Sequence, residues 1–436
     1  MMLTNPVVIS VFVMTVLCLC KMNVILSLII SGILGGVLAG MSIGDVMGTL
    51  IGGMGGNAET ALSYILLGAL AVAINKTGLA TILSRKIASV IKGRGRMLLV
   101  IIAIISCFSQ NLIPVHIAFI PILIPPLLGI MNKLKIDRRA AACALTFGLK
   151  TPYVALPVGF GLIFHGIIAN EMTANGMAIG KFDIWKGMWI PGLGMVVGML
   201  VAIFITYRKA REYNLTDAAD ELSAANEEEI KFNSKHMVAL AGALAALVIQ
   251  VKWESLPLGA MVGLLIMILF GAIKWNEMDE MMSGGIGIMG FIAFVMLVAA
   301  GFGSVIRETG GVDSLVTSAA AMIGGSKLLG AVVMILIGLF ITMGIGTSFG
   351  TIPIIAIIYV PLCMELGFSP LGTAVLIGTA AALGDAGSPA SDSTLGPTSG
   401  LSVDGQHDHI WDTCVPTFLH FNIPLVLFGV VASLIL

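Results

Sequence analysis

Residues 328–364 read LLGAVVMILIGLFITMGIGTSFGTIPIIAIIYVPLCM, without one Asp, Glu, Lys or Arg. A helix needs about 20 apolar residues to cross a bilayer. The stretch is therefore long enough for two passes, or for one pass and a re-entrant arm. Its middle, Gly344-Ile-Gly-Thr-Ser-Phe-Gly-Thr351 followed by Pro353, interrupts a helix. Backbone unwinds at membrane depth only where protein or a cavity satisfies its polar groups. A second charge-free stretch, 97–132, is broken by Ser109-Gln110-Asn111 and then Pro114. Interrupted segments in both halves of a chain point to a transport site.

The rest of the chain agrees with that reading. Of 436 residues, 58% are hydrophobic and 11% charged, where an ordinary soluble domain has about 25% charged. Mean hydropathy is +1.04. Such a chain cannot cover itself with polar surface, and it is too apolar for disorder. The net charge of −1 gives no basic face for nucleic acid. Apolar runs this long do not alternate as the strands of an outer-membrane barrel do. The expectation is an all-α polytopic membrane protein of about 10–13 segments in the cytoplasmic membrane. The N-terminus has no basic run, so no cleavable signal peptide is expected. The six scattered Cys show no metal spacing and read as small buried hydrophobes.

Residues 208–235 hold Arg208, Lys209, Arg211 and then Asp217, Asp220, Glu221 and Glu227–Glu229. They read as a solvated cytoplasmic connector between a first half, 1–207, and a second, 236–436. The halves share landmarks. Ile74-Asn-Lys-Thr-Gly78 matches Ile306-Arg-Glu-Thr-Gly310, and Gly52-Gly-Met-Gly55 matches Gly284-Gly-Ile-Gly287. Ile113-Pro114 and Ile352-Pro353 extend the match, as do Lys150-Thr-Pro152 and Gly387-Ser-Pro389. The charges differ between the halves. Loops 85–96 and 131–139 hold nine Lys and Arg, whereas their second-half counterparts hold only Lys327. Short basic loops stay cytoplasmic, so equivalent loops belong on opposite sides. Two inverted-topology repeats with broken or re-entrant helices are a signature of secondary transporters.

The densest polar constellation is Gly384-Asp-Ala-Gly-Ser-Pro-Ala-Ser-Asp-Ser-Thr394. It follows an apolar run, 371–383, too short to span alone, so it begins inside the membrane. Asp385 and Asp392 supply carboxylates, and Ser388, Ser391, Ser393 and Thr394 supply hydroxyls. Hard cations prefer such oxygens, and a carboxylate can take a proton instead. Intramembrane carboxylates are functional candidates; the alternative is an exit loop with capping Asp and Ser. Thr347, Ser348 and Thr351 add hydroxyls beside the first break. Lys150-Thr151-Pro152 interrupts a first-half span. A buried ammonium needs a partner, which suggests a pair with Asp385 or Asp392; a lysine reaching for the membrane surface is the alternative. Glu59 is either a ligand or a first-turn charge on a helix, and His116 reads as structural. His407-Asp408-His409 with Asp412 reads as a solvated loop rather than a metal site. No nucleotide loop or hydrolase arrangement appears, so no ATP-driven pump or enzyme is expected.

Gly346-Thr-Ser-Phe-Gly-Thr351 resembles the GTS[WF]GT element of Na+/H+ antiporters of the NhaC type. Gly384–Thr394 resembles that family's GDxxSPxSDTT element, with Ser393 in place of the first Thr. The likeness is strongest over 285–436. It implies two inverted repeats, a homodimer, and an ion and substrate site at Thr347, Ser348, Asp385, Ser388, Ser391, Asp392 and Thr394. The reading of the residues themselves adds Gly350, Thr351 and Ser393. To these the reading of the first half adds Ser109, Gln110, Asn111, Lys150 and Thr151. Asp385 and Asp392 are the expected Na+ ligands, with Na+ or H+ as coupling ion and no other cofactor. Some relatives in this family carry amino acids, histidine among them, so ion-coupled amino-acid transport is the alternative. A passive channel is a remoter one.

Overall fold

A computed structural model of the chain describes residues 4–20, 22–79, 82, 96–111, 124–214, 232–253, 255–345, 347–389 and 391–436; at 108–111 it describes the backbone alone. The described residues form helices and connecting loops, with no strand. The first half contributes α1 (Pro6–Leu19), α2 (Val24–Leu38), α3 (Ile43–Gly53), α4 (Ala58–Lys76), α5 (Met97–Asn111), α6 (Pro125–Lys133), α7 (Arg138–Ala155), α8 (Phe160–Ala174) and α9 (Trp185–Val201). The second contributes α10 (Ser234–Lys252), α11 (Leu256–Leu269), α12 (Met278–Glu308), α13 (Gly311–Ile323), α14 (Lys327–Ile345), α15 (Ser348–Glu365), α16 (Pro370–Ala382), α17 (Asp392–Leu401) and α18 (Val415–Ile435).

By length and composition, Ile43–Lys76, Trp185–Thr206, Trp275–Glu308, Ser348–Glu365 and His409–Ile435 can each cross a bilayer. The bent pair α7 and α8 makes a sixth, and most other helices are short and apolar. The protein is a multi-pass membrane protein. Lipid gives no hydrophobic drive between helices, so close backbone contact matters. Gly68 of α4 and Gly285 of α12 supply it: a Cβ on Gly285 would stand 2.4 Å from the Ala69 nitrogen.

The two halves use matching contacts. α1 packs on α2, and α10 on α11. α2 packs on α12, and α11 on α4. α5 packs on α7, and α14 on α16. α4 lies along α12, and α9 along α18. The runs Ile43–Lys76 and Trp275–Glu308 have the same length, 34 residues. Gly78 and Gly310, which close the matching sequences, both have positive φ.

Two sequence readings need correction, at Lys150-Thr151-Pro152 and at His407. Lys150-Thr151-Pro152 does not interrupt its helix, because α7 runs through Pro152 to Ala155. The chain bends by 45° between α7 and α8. There Leu156 precedes Pro157 and is extended (φ −126°, ψ 137°), while Gly159 has φ 60°; a residue before proline is pushed out of the helical region. The described start of the connector, 208–214, is largely exposed and is tied to the loop after α17. Arg211 pairs with Asp412 at 2.7 Å, and Asn214 and Gln406 exchange hydrogen bonds of 2.7 and 2.9 Å. Residues 215–231 lie outside the described part. His407 is buried, with its Nε2 at 2.7 Å from the Thr413 hydroxyl, so its loop is not simply solvated.

Candidate functional site

Two helix breaks face each other. Serine caps start the half-helices around one of them: Ser369 Oγ accepts the Gly372 N–H of α16, and Ser391 Oγ accepts the Ser393 N–H of α17. α16 stops at Ala382, and the loop that follows is buried over 383–388 and again at Ser391. Two residues require glycine there. Gly384 (φ 76°) and Gly387 (φ 102°) hold left-handed backbone, and a Cβ on Gly384 would meet the Leu339 carbonyl at 2.7 Å. α15 has no side-chain cap of its own, with Thr347 at its N-cap. Asp385 takes that role from the facing loop: its Oδ2 accepts the Ser348 N–H at 3.2 Å and the Ser348 hydroxyl at 2.5 Å. A carboxylate at a helix N-terminus meets orphan N–H groups and the positive end of the dipole.

Asp385 has three further partners. Lys150 Nζ lies 2.7 Å from Oδ2, the Tyr153 hydroxyl donates to the same oxygen at 3.2 Å, and the Ser391 hydroxyl donates to Oδ1. Lys150 is fully buried and donates also to the Ala382 carbonyl at 3.2 Å. Burying two charges is unfavourable unless they pair closely and their remaining groups are hydrogen-bonded; here both conditions hold. Asn422 of α18 steadies the loop. Its Oδ1 accepts the Gly384 N–H at 3.2 Å, and its Nδ2 donates to the Ala386 carbonyl at 3.0 Å, one on either side of Asp385.

A cavity of about 150 Å³ opens beside this pair. Asp392 lines it, solvent-exposed and without a hydrogen bond or ion pair among the described residues. Phe349 stands at its wall, with the rings of Tyr153, Phe164, Tyr64 and Phe160 centred 5.1 to 6.3 Å from it. The buried Tyr64 hydroxyl has no partner among the described residues.

Of the residues singled out in the sequence, Lys150, Thr347, Asp385, Ser391, Asp392 and Ser393 line this cavity, and Ser348 is bonded to Asp385. Others hold the scaffold. Thr394 Oγ1 donates to the Ser388 and Ser391 carbonyls, and Thr351 Oγ1 to the Thr347 carbonyl. Gly350 is buried in the first turn of α15. Thr151 faces the Met195 sulfur at 3.6 Å and is not among the residues lining the cavity. Ser109, Gln110 and Asn111 end α5, but their side chains lie outside the described part, as do Ile113, Pro114 and His116. Sequence reading missed Tyr64, Tyr153, Phe160, Phe349 and Asn422. Tyr153 carries a signal, because three residues past Lys150 it shares a helix face with it. The lone Asn422 carries none. Among the described residues no group of three His, Cys, Asp or Glu could hold a metal ion.

Comparison with known proteins adds the following. The profile of the Na+/H+ antiporter family matches residues 144–430, and that of a second family described as a Na+-H+ antiporter family matches 5–91. The chain is 51% identical to the Bacillus subtilis protein YuiF, whose name gives it as a candidate amino acid transporter, over 99% of this chain and all of that one. It is 50% identical to an uncharacterized membrane protein of Vibrio parahaemolyticus, over 99% of this chain and all of that one. The Alcanivorax borkumensis YdaH transporter has the same fold, with a TM-score of 0.62 at 13% identity over 88% of this chain and 87% of that one. Neisseria gonorrhoeae MtrF, titled as illuminating a class of antimetabolite efflux pumps, has a TM-score of 0.62 at 16% identity over 88% and 83%.

Proposed function

The chain belongs to the Na+/H+ antiporter family, and we propose that it is a secondary active transporter whose coupling cation, Na+ or H+, binds at Asp385 and Asp392. The observation that carries this is the contrast between the two carboxylates. Asp385 is held by Lys150 and four hydrogen bonds, while Asp392 faces the same cavity unpaired. A monovalent cation entering beside Asp392 would meet a free carboxylate and the Ser391 and Ser393 hydroxyls. Its field would compete with the Lys150 ammonium for Asp385. Cation binding and the Lys150–Asp385 pair would thus be linked, and linkage is reciprocal.

The halves 1–207 and 236–436 act as inverted repeats in this reading. Support comes from the matching packing described above. Rocking one set of helices against the other would expose the junction to each side in turn.

A second reading makes an amino acid the transported solute. Two observations favour it: the name of the Bacillus subtilis relative, and the aromatic wall beside an unpaired carboxylate, which suits an ammonium group. The experiment that tests both uses proteoliposomes with a trapped pH dye. Na+ addition alone shifts the internal pH of an exchanger. A symporter takes up labelled amino acid only under an ion gradient. If neither occurs with active protein, cation coupling is refuted.

A further inference from the structure

We propose that a second cavity, between α4 and α8, is a waiting site for a small zwitterionic solute, separated from the central cavity by the paired rings of Tyr64 and Phe160. This rests on the amino-acid reading of the central site. The second cavity has a volume of about 80 Å³. Glu59, Thr60 and Ser63 of α4 line it, together with Gly166 and Asn170 of α8 and Lys181 of the following loop.

Four observations carry the proposal. First, Thr60 is 9% exposed, and its hydroxyl has no hydrogen-bond partner among the described residues. That hydroxyl lines the cavity and can bond to a solute there. Second, Ser63 donates its proton to the Glu59 carbonyl at 2.7 Å, so its remaining lone pair is available to a donor in the cavity. Third, a Cβ on Gly166 would meet nothing within 4 Å, so the α8 wall is open there. Fourth, the lining holds charges of both signs. The Glu59 carboxylate has no hydrogen bond or ion pair among the described residues, and Lys181, which has a partner of its own, stands on the same cavity. A bare cation is repelled by that ammonium, and a bare anion by that carboxylate. A zwitterion places its ammonium at Glu59 and the two hydroxyls, and its carboxylate towards Lys181 and the Asn170 amide.

The place of the cavity gives it a role. Thr60 and Ser63 sit on α4 just before Tyr64, and Ile163 sits on α8 just after Phe160. Tyr64 and Phe160 line the central cavity, with ring centroids 5.8 Å apart. Residues beside them in sequence on the same two helices, Ser63 and Leu162, line the second cavity.

Binding of tritiated neutral amino acids (glycine, alanine, serine and histidine, each alone) to the purified full chain tests this. Wild-type protein should bind at least one of them at two sites per chain. Asp392→Asn should remove the tighter site and leave saturable binding at least tenfold weaker. Adding Glu59→Gln should reduce that residue of binding tenfold or more, and adding Gly166→Leu should do the same by filling the space. Glu59→Gln guards against a Gly166→Leu chain that fails to fold. One site in the wild type, abolished by Asp392→Asn, overturns the waiting site and leaves the central reading intact. Residual binding indifferent to both second substitutions also overturns it. No binding of any of the four to the wild type overturns the amino-acid reading and this site together.

Discussion

Replacing Lys150 by Met removes an ammonium that lies 2.7 Å from Asp385 in a fully buried position. Methionine keeps most of the side-chain volume, so the cavity term is small. What remains is a buried carboxylate without its counter-charge. Breaking a buried pair from one side costs about 3–5 kcal/mol. The Ser348 N–H and the hydroxyls of Ser348, Tyr153 and Ser391 still donate to Asp385, so the lower end, about 3 kcal/mol, is expected. The double variant Lys150→Met/Asp385→Asn removes both charges and should recover most of that loss, because a pair replaced as a whole is close to neutral. Equilibrium unfolding in mixed micelles measures the order: wild type and double variant near each other, Lys150→Met well below. Both variants should lose cation-driven flux. A Lys150→Met protein as stable as the wild type, or a double variant no better than the single, would refute the buried pair.

Asn422→Ala leaves the Gly384 N–H and the Ala386 carbonyl without their partner; stability should fall by about 1–3 kcal/mol, and in a cation-titrated thermal shift the apparent affinity should weaken. Gly387→Ala combines φ 102° with a Cβ at 2.4 Å from Phe418, so little folded protein should survive size-exclusion chromatography, and normal yield would contradict the loop geometry. Asp404 lies in the loop after α17. Burial pushes its carboxyl up, but the Arg138 guanidinium and Gln406 outweigh this and hold it below the usual carboxylate range. Its stabilisation is therefore full above the unfolded pKa of about 3.9 and is lost as pH falls through the lower folded value. Asp404→Asn should flatten the acid limb of stability against pH, and an unchanged limb would show that the pair does not titrate with folding.

Much of this was legible in the sequence, for identifiable reasons. Charge-free stretches mark the membrane helices because the bilayer penalises charge at every position. The break at 344–351 is legible because glycine and proline interrupt a helix wherever they cluster. Asp385 and Lys150 stood out because each is a charge in an apolar run. Their pairing was open, since a helix pattern does not say which loop faces which, and Asp392 was an equal candidate. Lys150-Thr151-Pro152 reads as an interruption of its span, yet the helix continues through it and the chain bends only after Ala155. A proline inside a helix forfeits one hydrogen bond and is tolerated in membrane helices, whereas Leu156-Pro157 followed by Gly159 imposes three unfavourable constraints in succession. The aromatic wall could not be read, because Tyr64, Tyr153, Phe160 and Phe349 come from four helices and meet only in three dimensions. His407 looked like part of a polar loop, because nothing in its neighbours announces that Thr413 receives it in the interior.

Ion-driven flux through Asp392→Asn protein in proteoliposomes tests the central claim most directly. Asn keeps the size and position of the side chain while removing the one carboxylate that the cavity leaves unpaired. Folded Asp392→Asn protein should lose flux driven by a Na+ or proton gradient by tenfold or more. Flux equal to the wild type would place the coupling cation elsewhere.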